Sequence, residues 1–206
     1  MALTTLFDKF TGDFASYDNT KIVVAGADYK INYYKGWFCV INGTEYEITG
    51  NSKTDIFFNN SLSAIGNFEI VFIGRDFLKR IDSDFKDNVK IPDDLISNKY
   101  LMASNDIQIR IEEALKLQIT DIFNPIENIL NLDNLQYAFS YHIAQAVFMD
   151  LHGGGEFYNE KSGYFETIYK VNVKNALSTL IIDRDQDNKV DIEEKKESVG
   201  IYRFRR

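Results

Sequence analysis

Cysteine occurs once in this 206-residue chain, as Cys39, which excludes an internal disulfide and any multi-cysteine zinc site. Histidine and proline occur twice each. No internal repeat or low-complexity tract is present. No apolar run approaches the roughly 20 residues that a membrane-spanning helix requires, so no membrane association is expected. The opening stretch "MALTTLFDKFTGDF" lacks a basic segment followed by a long apolar one, and so does not read as a signal peptide. Basic charge is in deficit, with 23 Lys and Arg against 31 Asp and Glu for a net charge of −8, so attraction to phosphate backbones is not expected. These absences point to a soluble chain made in a reducing cytoplasm. What is abundant is apolar surface: 45% of residues are hydrophobic and 14% aromatic, enough for one sizeable core or two small ones.

The apolar residues change period along the chain. Residues 20 to 75 are rich in β-branched and aromatic residues cut by turn signals, as in "TKIVVAGADYKINYY", "WFCVINGTEYEITGN", "TDIFFNN" and "GNFEIVFIG". Asn42-Gly43 separates "WFCVI" from "TEYEI" and is a strong hairpin signal, because both residues tolerate positive φ. Four to six antiparallel strands in a small β-sandwich or barrel are predicted. Beyond residue 90 the spacing becomes helical. Pro92 opens "PDDLISNKYLM", a short helix with proline in its first turn. "SNDIQIRIEEALKLQITDIF" repeats apolar residues at Ile107, Ile111, Ala114, Leu115 and Ile122. A third helix starts at the capping residue Asp133, aligns Leu135, Ala138, Phe139, His142, Ile143, Ala146 and Val147, and stops at Gly153. A fourth aligns Phe165, Tyr169, Val173, Ala176, Leu177 and Leu180. The expected class is therefore α+β: a β-rich module over 1–90, a helical bundle over 91–182, and a loop and tail over 183–206. Residues 82–94 are the best linker candidate.

The segment "IIDRDQDNKVDIEEKKE" carries the sharpest local pattern. With Asp183 as position one, acids fall at Asp183, Asp185, Asp187, Asp191 and Glu194, which are positions 1, 3, 5, 9 and 12 of an EF-hand loop. A hard cation wants six to eight oxygens, and a tightly turning backbone brings alternate side chains inward. The carbonyl of Lys189 serves position seven, Asp191 reaches the ion through water, and Glu194 closes the shell with two oxygens. Asn188 stands at position six, where the motif has glycine for a left-handed backbone, and asparagine is the next most tolerant residue. The preceding "VKNALSTLII" reads as the entering helix. Calcium, with magnesium not excluded, would then act as a structural staple for the C-terminus. A solvated acidic loop capping a helix is the alternative reading of the same residues.

Catalytic signals are thin. His142 lies on the apolar face of its helix and reads as a core histidine. His152 sits at a helix end, where it could cap carbonyls. "HGGGEFYNEKSG" lacks the Gly-Lys-Ser/Thr ending of a phosphate loop, and no nucleophile elbow frames any serine. Glu112 with Glu113, and Asp93 with Asp94, are sequence neighbours that point in different directions on a helix. Tyr33, Tyr34, Trp37 and Phe38 read as core or interface more readily than as a sugar platform. No enzyme is expected. The tail "IYRFRR", residues Ile201, Tyr202, Arg203, Phe204, Arg205 and Arg206, alternates apolar and basic groups as a strand that adds to another chain's sheet edge would.

The order "DDLISNKYL", "IQIRIEEALKLQITDIF", "LQYAFSYHIAQAVFMDLH", "YKVNVKNALSTLI" and an extended tail resembles the helical neck adaptors, or head-to-tail connectors, of tailed bacteriophages. "VVAGADYKINYYKGWFCVINGTEYEITGNSKTDIFFNN" is similar to a small β module of phage virion proteins. The two resemblances cover residues 20 to 206. The acidic loop and the fused β module are departures from the simplest adaptors. The richness in Asn, Ile, Lys, Tyr and Phe fits an AT-rich phage genome, such as that of a crAss-like podovirus. The resemblance implies a virion protein assembled in the host cytoplasm and forming a homo-oligomeric ring, commonly a dodecamer. Portal and other neck or tail proteins are the implied partners, and DNA passes through the channel without specific binding. The alternative is a calcium-stabilised binding module for carbohydrate or cell-surface recognition.

Overall fold

A computed structural model describes residues 10–12, 16–24, 26–29, 31, 33–62, 67–116 and 129–183. The chain divides between Phe77 and Leu78 into two compact units. The division falls ahead of residues 82–94, the stretch expected to link the halves.

The first unit is an antiparallel sheet of seven short strands: β1 (Phe10–Gly12), β2 (Ser16–Asp18), β3 (Lys21–Val23), β4 (Phe38–Ile41), β5 (Thr44–Asn51), β6 (Asp55–Phe58) and β7 (Phe68–Val71). Their order is β1-β7-β4-β5-β6-β3-β2. The β4–β5 hairpin turns on Asn42 (φ 49°) and Gly43 (φ 79°), with Ile41 opposite Thr44. Positive φ at both turn residues matches the right-handed twist of the strands they join. β5 is the pivot of the sheet. Its first half pairs with β4, its second with β6, and the register shifts between Ile48 and Gly50. Such a bulge bends a strand and lets it serve two sheet faces. Tyr46 and Ile48 point into the core while Glu47 is exposed. The core contains Ile22, Cys39, Ile41, Ile56 and Ile70, with Trp37 set edge-on against Phe72 at 5.1 Å. Each such aliphatic or Phe side chain contributes about 1.5–3 kcal/mol by leaving water.

A short helix, α1 (Arg75–Ile81), follows the last strand. The Asp76 N–H donates to Glu45 Oε2 at 2.9 Å, so a β5 carboxylate satisfies a helix N-terminal donor. Gly74 permits this approach, because a Cβ there would collide with the Glu45 carboxyl group.

The second unit is helical. Asp82 caps a 3-10 turn, Ser83–Lys86, by accepting from Asp84 N–H at 2.8 Å, and the turn buries Phe85 against Phe148. α2 (Asp93–Lys116) is one helix where two were expected. Tyr100, Ala103, Ser104, Ile107, Ile111 and Leu115 form one unbroken buried stripe, and neither glycine nor proline interrupts it. Pro92 stands just before the helix, its carbonyl accepting from Leu95 and Ile96 N–H. α3 (Gln136–Asp150) is entered through a 3-10 turn, Leu132–Leu135. Asp133 therefore lies inside that turn and is not the cap of α3, whose cap position is Leu135 and has no side-chain bond. Burial of both Leu132 and Leu135 tightens the chain one turn early. α3 is buried on most sides, at Ala138, Phe139, Ser140, Ile143, Ala144, Val147 and Phe148. α4 (Glu156–Ser178) presents Phe165, Tyr169, Val173 and Ala176 inward, as its period predicts.

Candidate functional site

The acidic loop begins where α4 ends, and only Asp183 of its six proposed ligands is described. Asp185, Asp187, Lys189, Asp191 and Glu194 lie outside the described residues, as do Ile201, Tyr202, Arg203, Phe204, Arg205 and Arg206. Asp183 is fully buried. The entering helix is shorter than expected: α4 stops at Ser178, a turn at Thr179 and Leu180 closes it, and Ile182 pairs in a single strand-like bridge. The cause is Asn131. Its Nδ2 donates to the Thr179 carbonyl at 2.8 Å, and its Oδ1 accepts from Ile181 N–H at 2.8 Å. Leu130 N–H donates to Ile181 O at 2.9 Å, and Ile129 bridges Ile182 in antiparallel fashion. β-branched Ile181 and Ile182 favour that pairing over another helical turn. Asp183 is thus presented from a pinned, strand-like exit. Among the described residues no three His, Cys, Asp or Glu side chains gather as a metal set.

A second polar centre, which sequence reasoning missed, joins the three long helices. Asp106 Oδ2 on α2 accepts from Arg110 Nε one turn along at 2.8 Å and from the Tyr169 hydroxyl on α4, and lies 3.3 Å from His142 Nε2 on α3. The His142 ring lies 4.6 Å from that of Tyr169, and the Arg110 guanidinium sits 5.5 Å from the Tyr169 centroid. Burial pushes the Asp106 pKa up, but bonds from Arg110 and Tyr169 and the charges of Arg110 and His142 outweigh it, so the carboxyl is held below its ordinary value. Burial, and then the bond to Asp106, push the Tyr169 hydroxyl upward. His142 Nδ1 is buried and makes no hydrogen bond. This His142 is therefore a half-buried helix-packing residue with its Nε2 beside the Asp106 carboxylate. The Asp106–Arg110 pair has the i, i+4 spacing of a helix ion pair. Nothing local in the sequence links it to residues 36 and 63 positions downstream.

Lys161 closes a third cluster. Its Nζ donates to both Asp82 oxygens at 2.9 and 2.8 Å and to Asp84 Oδ2 at 2.8 Å. It also lies 4.8 Å from the Phe148 ring and 5.0 Å from that of Phe157. Burial lowers the lysine pKa, but the two carboxylates more than offset this and hold it above its usual value. Lys99 pairs with Asp150 at 2.6 Å and ties α2 to the end of α3. These charges fasten helices to one another.

The remaining candidates are placed as follows. Asp93 and Asp94 stand exposed in the first turn of α2, where acids complement the helix dipole. Glu112 accepts from Gln108, and Glu113 is exposed. Leu151–Gly154, which holds the first three residues of "HGGG", forms a 3-10 turn between α3 and α4, and Gly155 at φ 129° is the N-cap of α4. Trp37 and Phe38 are buried, while Tyr33 and Tyr34 are half-buried and pack edge-on against each other. Tyr29 joins them, its hydroxyl pKa pushed up to about 12 by burial and then by Tyr34 and Cys39.

The helices also carry apolar side chains directed at solvent: Leu101, Met102 and Ile109 on α2, Tyr137 and Met149 on α3, and Phe157, Tyr164 and Val171 on α4. No described helix is long and apolar enough to cross a membrane. The chain matches no protein-family model, no curated protein and no solved structure.

Proposed function

We propose that this chain is a non-enzymatic structural component of a tailed-phage neck, assembling with copies of itself into a ring between portal and tail. The observation that carries the reading is the set of exposed apolar side chains on α2 and α4. Met102 with Ile109, and Phe157 with Tyr164 and Val171, recur at a spacing of seven residues, so they share one outward face of each helix, and apolar faces of this kind suit association. The Asp106 and Lys161 clusters are consistent with it, since their donors and acceptors are spent on joining helical segments. In the assembled virion the tail from Ile201 to Arg206 docks on portal or a neighbouring subunit. A net charge of −8 lets DNA slide through the ring rather than adhere to it.

The finer fold belongs to the same proposal. β1 and β2 occupy opposite ends of the strand order, yet only three residues separate them in the chain. Four Cα steps reach at most about 14 Å, whereas the edges of a flat seven-strand sheet lie about 29 Å apart. The sheet is therefore curled into a barrel or sandwich, with the β5 bulge as one corner. The acidic loop from Asp183 to Glu194 holds calcium, or magnesium in its place, and fixes the direction in which the tail leaves.

Negative-stain electron microscopy of the purified full chain tests the ring: particles of uniform diameter are expected, and isolated single subunits would refute it. Calorimetry with calcium on the wild type and on Asp183→Ala tests the metal; equal, null heats remove it. A second reading, a calcium-stabilised module that recognises carbohydrate, draws on the half-buried Tyr33 and Tyr34. It predicts glycan binding by a monomer that Tyr34→Ala abolishes.

A further inference from the structure

α2 and α4 each carry an outward seam with a spacing of seven residues. On α2 it runs through Leu95, Met102 and Ile109; on α4 through Phe157, Tyr164 and Val171. Met102 is 49% exposed, Tyr164 62%, and Ile109, Phe157 and Val171 lie between. Leu95 is half-buried. The α2 seam is nearly opposite that helix's buried stripe of Tyr100, Ala103, Ile107 and Ile111, since residues seven apart return to one face and these fall half a turn away. The α4 seam likewise falls well off the stripe of Phe165, Tyr169 and Val173. α3 packs against both helices, whereas α2 and α4 meet at few points, the Asp106–Tyr169 bond among them. Both seams face solvent on helices that pack against α3.

We infer that the α4 seam of one copy lies antiparallel against the α2 seam of the next, in a head-to-tail contact that repeats around the assembly. This rests on the ring reading above and specifies the surfaces that build it. Equal spacing gives three matched rungs: Phe157 on Ile109, Tyr164 on Met102 and Val171 on Leu95. The seam rises about 21 Å on each helix, so the rungs stay in step along its length. An acidic group meets Lys174 in either direction, and the charge-swap variants below separate the two. In the antiparallel register exposed Lys174, one turn beyond Val171, meets exposed Asp94, which adjoins Leu95. In the parallel register Lys174 would instead lie beside Glu112 and exposed Glu113 near the end of α2. Two different patches meeting head to tail generate a closed ring when the rotation closes, and a filament when it does not.

A short bis-maleimide applied to the native full chain tests this pairing. The variant Met102→Cys/Tyr164→Cys should give a ladder of cross-linked multimers, while each single variant gives none. Cys39 is fully buried and stays out of the reaction. Lys174→Glu in the double-cysteine background should deplete the ladder, and adding Asp94→Lys should restore it. Dimers from Tyr164→Cys alone would show α4 pairing with α4 and overturn the inference. Wild-type rings without a ladder from the double variant would overturn this pairing and leave the ring reading standing. A wild type that stays single, with no cross-linked product, would overturn both.

Discussion

The two units solve the same problem, holding a core together, by different means. In the sheet unit the interior is almost wholly apolar, and its polar groups suffer for being there. Burial pushes the Cys39 thiol up to about 12 and the Tyr29 hydroxyl to about 12, the latter with help from Tyr34 and Cys39. In the helical unit charges sit between elements and are matched: Asp106 against Arg110, Tyr169 and His142, and Lys161 against Asp82 and Asp84. Sheets align their elements through backbone ladders, so side chains need only fill space. Helices satisfy their backbones internally, and rotation about each axis must be fixed by side chains. The ion clusters supply that fixing, and each spans at least two helical segments.

The largest test of this contrast removes core volume from one unit at a time. Phe139→Ala in α3 should cost about 3–5 kcal/mol and Ile70→Ala in β7 about 2–5 kcal/mol. Trp37, the only tryptophan, reports on the sheet unit by its emission, while far-ultraviolet ellipticity reports chiefly on the helices. Phe139→Ala should move the ellipticity transition, and Ile70→Ala the emission transition. Both transitions moving together in both variants would erase the boundary at Phe77 as a folding boundary. A smaller effect comes from Lys161→Met, which keeps the stem over Phe148 and Phe157 but leaves Asp82 and Asp84 facing each other unmatched. We expect a loss of about 1–3 kcal/mol in urea melts; no loss would mean that the cluster is ornamental.

Asp106→Asn should cost about 1–2 kcal/mol, discounted for the partial exposure of the site. It should also change the response to acid. Because the folded-state pKa of Asp106 is lowered, its contribution is present above the ordinary carboxylate value of about 4 and is lost as pH falls through the lowered one. The variant should show a weaker loss of stability in that acidic window, measured as urea midpoints against pH. The sheet unit should respond at the other extreme. Cys39 and Tyr29 have raised folded-state values, so their contribution is intact below the ordinary ones, about 8.5 and 10, and declines as pH rises toward 12. Cys39→Ala should blunt the first part of that alkaline decline, read from Trp37 emission. The smallest change is Gly43→Ala. Nothing crowds the site, so only its φ of 79° matters, and the cost should be about 1 kcal/mol.

Features governed by local geometry were legible in the sequence. The Asn42-Gly43 turn was readable because positive φ at two successive positions limits the choice of residues. The stripes of α2 and α4 were readable because helical period alone sets which side chains share a face. The single continuous α2 was obscured by expecting a break where no breaker residue stands. Long-range capture was not readable. α4 ends early because Asn131, 48 residues upstream of Thr179, takes its carbonyl, and no pattern near Ser178 announces that. The Asp106 centre was hidden for the same reason, since it depends on how three helices are rotated against one another. The spacing of acids from Asp183 to Glu194 was legible as a local pattern, and of those residues Asp183 falls within the described part of the chain.

Association between copies of one chain is read most directly from the mass of the native particle in solution. Mass photometry of the full chain should show a dominant species at a large, fixed multiple of 23.8 kDa, narrow enough to be a closed ring. A single population at 23.8 kDa, unchanged as concentration rises, would contradict it.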